Sequence, residues 1–199
     1  LCSACHHVLK RVNDDLARNE EIRNKVNTYL EVKEPYQGET KVLHFLEVLR
    51  DQVGFAKLAQ LVTHPLTGQK IGAYYGCMLL RPSKVLAFDD PENPQLLEQF
   101  LQALGATPVR YGMRNECCTG YMAVTNPGLC KQMVGEILQS ARDEEAQALI
   151  TACPLCRYNL VANASPAQKL PVYYFTELLA RALGVPVEPA AAEQAGGEG

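Results

Sequence analysis

The stretch Lys70-Ile71-Gly72-Ala73-Tyr74-Tyr75 (KIGAYY) decides the fold of this chain. It is a short, almost wholly apolar run set off by the turn-forming His64-Pro65-Leu66-Thr67-Gly68, the pattern of a strand buried on both faces. Toward the C-terminus the pattern alternates. A helix is predicted around 95–104, a strand from Thr107 to Tyr111, a helix from Pro127 to Glu145 and a strand from Ala148 to Ala152. A last strand, Val172 to Tyr174, precedes a final helix through Leu183. Strands alternating with helices of this length imply parallel βαβ units with right-handed crossovers, so the predicted class is α/β.

Toward the N-terminus, Val42, Phe45, Leu46 and Leu49 share one face of a helix predicted over Lys41 to Val53. Beyond the break at Glu34-Pro35-Tyr36-Gln37-Gly38, Val8, Val12, Leu16, Ile22, Val26, Tyr29 and Leu30 recur at helical spacing. They predict one or two amphipathic helices running on from Cys2-x-x-Cys5. The tail from Glu188 (EPAAAEQAGGEG) has nothing to pack and is expected to be disordered.

With 199 residues and 47% hydrophobic content the chain can bury a core without disulfide staples. A net charge of −3, with no basic block, lacks the footprint of a nucleic-acid binder. Charge or proline breaks every apolar run before a membrane-spanning length, and no signal-peptide order is present; a cytoplasmic protein with no membrane span is expected. Because Leu1 is not an initiator Met and Cys2-x-x-Cys5 lies at the edge, the chain reads as truncated or processed.

Eight cysteines in such a chain suit metal-binding thiolates in a reducing compartment. Cys77 lies just past the first strand, adjacent Cys117 and Cys118 follow the second, and Cys153-Pro154-Leu155-Cys156 caps the third. All three groups are thereby predicted at the carboxyl edge of a parallel sheet, where ligands bind. A helix is expected to follow each, aiming its positive end at the site. A lone CxxC is shared by zinc, dithiol and iron–sulfur sites. The set is more specific: five thiols on three loops exceed the four that a structural zinc needs, and neighbouring cysteines are hard to aim at one small ion. An iron–sulfur cluster accommodates both; a structural zinc site and coincidentally buried cysteines are the bland alternatives.

The order C…CC…CxxC, with YYGC, ECC and CPLC and then Pro171-Val172-Tyr173-Tyr174-Phe175-Thr176-Glu177-Leu178, resembles the cysteine-rich CCG domain family, and most closely the B subunit of heterodisulfide reductase. The likeness covers nearly all of residues 1–187. It implies a Rossmann-like domain over 67–187, with 1–66 as the C-terminal remnant of a first CCG repeat plus a helical connection and 188–199 as the tail. It implies that Cys77, Cys117, Cys118, Cys153 and Cys156 hold a non-cubane [4Fe-4S] cluster, and through it carry catalysis. Cys2 and Cys5 would serve a first site in the intact protein. Air is expected to destroy such a cluster or let zinc replace it. The implied activity is electron transfer to a small disulfide lying between two clusters, fed by a ferredoxin-like C subunit and a flavin-bearing A subunit. With half of the first site missing, the chain should not turn over alone. A CCG subunit of a lactate-, glycolate- or succinate-type oxidoreductase, or a zinc-stabilised interaction domain, are the other readings. One departure stands out: the family's Gly after the Cys pair is Thr119, with Gly120 displaced by one.

Other candidates read more plainly. Cys130 is expected to be a buried small hydrophobe. His6 and His7 are expected to be exposed or capping, and His44 and Glu47 a surface pair at metal-like spacing. Arg81, Asp89 and Asp90 form either a solvated loop or a cleft lining.

Overall fold

The fold is given by a computed structural model that describes residues 1–186, so the expectation for the tail lies outside the described residues. Two helices come first, α1 (Ser3–Arg18) and α2 (Glu20–Leu30), then a short α3 (Phe45–Val48) continued by a wide π turn over Leu49–Val53, and α4 (Phe55–Leu61). Next come β1 (Lys70–Tyr74), α5 (Ser83–Leu86), α6 (Leu96–Ala103), β2 (Thr107–Val109), α7 (Pro127–Asp143), β3 (Ala148–Thr151), α8 (Pro154–Ala162), β4 (Val172–Tyr174) and α9 (Phe175–Ala182). The α/β class is as expected. Helix α4 escaped the periodicity, and α3 begins four residues later than predicted because His44 caps it.

The four strands form one parallel sheet in the order β2-β1-β3-β4. The register places Ile71 opposite Ala148 and Leu149 opposite Val172. Alternation along the strands feeds two cores. Ile71, Ala73, Tyr75 and Ile150 face α4, α6 and α9, with Leu58, Phe100 and Phe175 filling that layer. Tyr74 and Leu149 face the other way, onto Val134, Ile137 and Leu138 of α7 and Leu160 of α8. Leu46, Leu49 and Leu66, from the segment before β1, join the first core. Fully burying such a side chain stabilises by about 1.5–3 kcal/mol.

Helix α7 shows how local sequence sets an element. Cys130, Val134, Ile137, Leu138 and Ala141 make one buried stripe; Asn126 caps the start by accepting from the Leu129 amide, and Pro127 sits where no N–H is needed. Gly72 is tightly covered: a Cβ there would lie 2.7 Å from Leu149 Cδ2 and 3.0 Å from Tyr111 Cε1, so a side chain at this position would require both neighbours to shift.

The strand order places the site. From β1 the chain crosses to β2 by way of α6 on one face, then returns past β1 to β3 by way of α7 on the other. The connections therefore diverge between β1 and β3, opening a crevice at the carboxyl ends of those two strands, the ligand position of doubly wound sheets.

Candidate metal centre

Three loops meet at that crevice. Cys77 follows β1 in a turn closed by the Leu80 and Arg81 amides donating to its carbonyl at 3.2 and 3.0 Å. The Cys117–Cys118 loop is tied to the end of β1: the Tyr75 amide donates to the Arg114 carbonyl at 2.8 Å and the Tyr74 hydroxyl to the Glu116 carbonyl at 2.8 Å. Cys153 is the N-cap of α8, its Sγ accepting from the Cys156 amide at 3.4 Å. Only this third group opens a sustained helix. Cys77 leads into a turn and then four-residue α5, and Cys118 into the 3-10 turn Gly120–Met122, so the expectation of a helix dipole behind each group holds for Cys153 alone.

The sulfurs meet in pairs. Cys77 Sγ donates to Cys117 Sγ at 3.4 Å, and Cys118 Sγ to Cys156 Sγ at 3.5 Å. Gly76 keeps the first pair beside the second: with a φ of +63° it adopts a turn that side chains disfavour, and a Cβ there would stand 3.3 Å from Cys156 Sγ. Sharing a proton pushes Cys77 up and holds Cys117 down to about 6; the Cys156 contact likewise holds Cys153 down to about 7, while the hydrogen bonds of Cys156 to Cys118 and Cys153 push Cys156 up. A cation entering here displaces the protons that Cys77 and Cys156 share with their neighbours. Among the described residues no three His, Cys, Asp or Glu side chains are grouped to hold one metal ion. Two thiol pairs with Cys153 as a fifth sulfur beside them suit a polynuclear cluster better than a single tetrahedral ion.

Thr119 has a φ of +55°, the left-handed conformation that glycine adopts freely. The loop therefore keeps the shape a glycine would give it. The Thr119 amide donates to Cys117 Sγ at 3.3 Å and its hydroxyl to the Cys118 carbonyl at 2.7 Å. Asn159, unremarked in the sequence, is 1% exposed and donates to the same carbonyl. Its Oδ1 accepts from Cys130 Sγ at 3.0 Å, so Cys130 is buried as expected.

The N-terminal motif lies against this site. Ser3 donates to the Ala152 carbonyl through its amide at 3.1 Å and its hydroxyl at 2.7 Å, placing Cys2-x-x-Cys5 beside the Cys153 turn. His6 and Glu47 are in contact at 3.3 Å and both buried, and His44 is wholly buried; neither the surface pair nor an exposed His6 survives. His7 reaches the Met78 carbonyl at 3.1 Å. Asp89 and Asp90 accept from the amides of their own loop, at Gln95, Leu96 and Glu92, and Arg81 pairs with Glu92. These three build the loop after Cys77. No helix among the described residues is long and apolar enough to cross a membrane.

A doubly wound parallel sheet with five cysteines gathered at its topological switch point defines a cysteine-rich α/β protein. Residues 71–161 match the family described as "CCG: Cysteine-rich domain". The chain is 32% identical, over 94% of its length and 67% of the relative, to the 8-methylmenaquinol:fumarate reductase membrane anchor subunit of Wolinella succinogenes. It is 29% identical to a protein of Archaeoglobus profundus described as like the B subunit of heterodisulfide reductase, over 96% of this chain and 68% of the relative. It is 28% identical to the B subunit of the ferredoxin:CoB-CoM heterodisulfide reductase of Methanosarcina mazei, over 98% and 68%. The chain belongs to the CCG cysteine-rich domain family and is related to subunits of oxidoreductase complexes.

Proposed function

We propose that this chain is the iron–sulfur subunit of a heterodisulfide reductase-type complex, with Cys77, Cys117, Cys118, Cys153 and Cys156 holding a [4Fe-4S] cluster of non-cubane type. The observation that carries the reading is the convergence of five thiols from three loops on one crevice, including the adjacent Cys117 and Cys118. When bound, the cluster supplies electrons one at a time. The chain's own contribution is a preset cage. The Thr119 and Cys156 amides donate to sulfurs, which tunes reduction potential, and the buried Cys118, Cys153 and Cys156 exclude water. Reducing a disulfide takes two electrons and two protons and releases two thiols. A ferredoxin-like C subunit, fed by a flavin-bearing A subunit, is the electron source this reading requires, with the complex working in the cytoplasm.

A second reading is favoured by the 32% identity to a menaquinol:fumarate reductase subunit: a CCG subunit taking electrons from a quinol in another oxidoreductase complex. A largely apolar cavity of about 450 Å³ beside the Cys153 turn, lined by Pro154, Tyr158, Val161 and Tyr174 and bordered by Arg157 and Glu177, has the volume to take a quinol ring or the aliphatic arm of a disulfide. Anaerobic assays of the purified complex separate the two. Disulfide-dependent oxidation of reduced viologen supports the first reading; quinol-dependent reduction of an acceptor, with no disulfide activity, overturns it.

A further inference from the structure

The Cys153 turn and the Cys2 turn are held by the same four contacts. At the Cys153 turn the carbonyl preceding the first cysteine, Ala152, accepts from the Tyr174 hydroxyl at 2.8 Å. Cys153 Sγ accepts from the Cys156 amide. Arg157, the residue after the second cysteine, pairs with Glu177 at 3.2 Å. The other oxygen of Glu177 accepts from the Tyr174 amide at 2.6 Å, capping α9.

At the Cys2 turn the Leu1 carbonyl is 3.1 Å from His44 Nε2. His44 Nδ1 accepts from the Leu46 amide at 3.2 Å, so Nε2 carries the proton and donates. Cys2 Sγ accepts from the Cys5 amide at 3.3 Å. His6, the residue after the second cysteine, meets Glu47 at 3.3 Å, and Glu47 Oε2 accepts from the His44 amide at 2.7 Å, capping α3. The sequences doing this are His44-Phe45-Leu46-Glu47 and Tyr174-Phe175-Thr176-Glu177, whose two phenylalanine rings lie 6.2 Å apart. One hydroxyl joins the copies: Tyr174 Oη also reaches the Leu1 carbonyl, at 2.7 Å.

We propose that the two (His/Tyr)-Phe-x-Glu segments are clamps that orient the two CxxC sulfur pairs, and that Tyr174, shared by both, sets the spacing between them. Each clamp works on backbone and flank. It takes the carbonyl that aims the first cysteine, and it takes the side chain that follows the second, leaving both sulfurs free to ligate. Tyr174, Glu177, His44 and Glu47 are positioning residues: their hydrogen bonds go to backbone and flanking side chains, not to sulfur. The inference rests on the iron–sulfur reading for its consequence, but the clamp is a property of the protein without metal.

The test compares the wild-type chain with Tyr174→Phe, Glu177→Gln and the conservative Arg157→Lys. In the reduced, metal-free protein, iodoacetamide labelling followed by peptide mass spectrometry gives a rate for each cysteine. In Tyr174→Phe and Glu177→Gln, Cys153 and Cys156 are expected to label several-fold faster, with Cys130 unchanged and Arg157→Lys close to wild type, because a loosened turn uncovers sulfurs that are buried in the wild type. After anaerobic reconstitution with ferrous iron and sulfide, the Tyr174→Phe paramagnetic spectrum is expected to shift while the iron content stays near wild type. Unchanged labelling, or a rise shared equally by Cys130, overturns the clamp. Wild-type protein that takes up no iron overturns the cluster reading instead, and the labelling rates still decide the clamp.

Discussion

Cys153-x-x-Cys156 and Cys2-x-x-Cys5 are held alike, but their settings differ. Strand β3, wholly buried and paired on both sides, delivers Cys153. Cys2 is anchored to the end of that strand through Ser3 and through the Tyr174 hydroxyl. Cys153 is 2% exposed and Cys156 6%, whereas Cys5 is exposed. The ion pairs differ in the opposite sense. Glu47, beneath the more open cysteines, is buried with His6, while Glu177 and Arg157, beneath the buried ones, are half-buried. A sheet end can thus tolerate a solvated clamp, since the ladder already fixes the strand. A turn that is not itself part of the ladder relies on a dry one.

Removing a proposed cluster ligand should break the comparison most. Cys118→Ser or Cys153→Ser is expected to lower iron retained after anaerobic reconstitution by more than about tenfold, whereas Cys2→Ser or Cys5→Ser leaves the main site filled. Iron and sulfide assays on the four variants check this.

The next effect is on stability. Glu47→Ala deprives the buried His6 and the half-buried Lys10 of their carboxylate and is expected to cost about 3 kcal/mol in chemical denaturation. Glu177→Ala removes a half-buried pair and a helix cap and is expected to cost about 1 kcal/mol.

Acid sharpens the same contrast. Burial holds His44 down to about 3, well below its ordinary value. The unfolded chain therefore binds this proton first, and stability falls as pH drops from about 6.5 toward 3, by at most about 1.4 kcal/mol per unit. Burial pushes Glu47 up, but His6 and the His44 amide outweigh it and leave the carboxyl below its usual value, so its stabilisation is likewise lost on acidification. Denaturation between pH 7 and pH 4 should show a shallower slope in His44→Gln than in wild type.

The smallest effect is at Thr119. Thr119→Gly relieves the positive φ but loses the hydroxyl bond to the Cys118 carbonyl, so a change within about 1 kcal/mol in unfolding free energy is expected, with iron content unaltered.

What the sequence disclosed follows from what periodicity and spacing encode. KIGAYY after its exposed Lys70, and ALIT up to its buried Thr151, are apolar because both faces are covered, so β1 and β3 were readable, and with them the positions of Cys77 and Cys153. Strand order is not local, so the switch point between β1 and β3 emerged only from the sheet. His44 and Glu47, three residues apart, fit a metal pair, a surface pair and a capping box equally well; burial decides, and spacing does not report burial. Asn159 gave no signal because its work is on a backbone carbonyl. The likeness of HFLE to YFTE was present in the letters, but it gains meaning only once both segments are seen gripping a CxxC turn.

The central claim is that Cys77, Cys117, Cys118, Cys153 and Cys156 hold one iron–sulfur cluster, and elemental analysis of the chain purified and reconstituted without oxygen tests it most directly. The account predicts about four iron and about four acid-labile sulfide per chain, with little zinc. One equivalent of zinc with neither iron nor sulfide would contradict it.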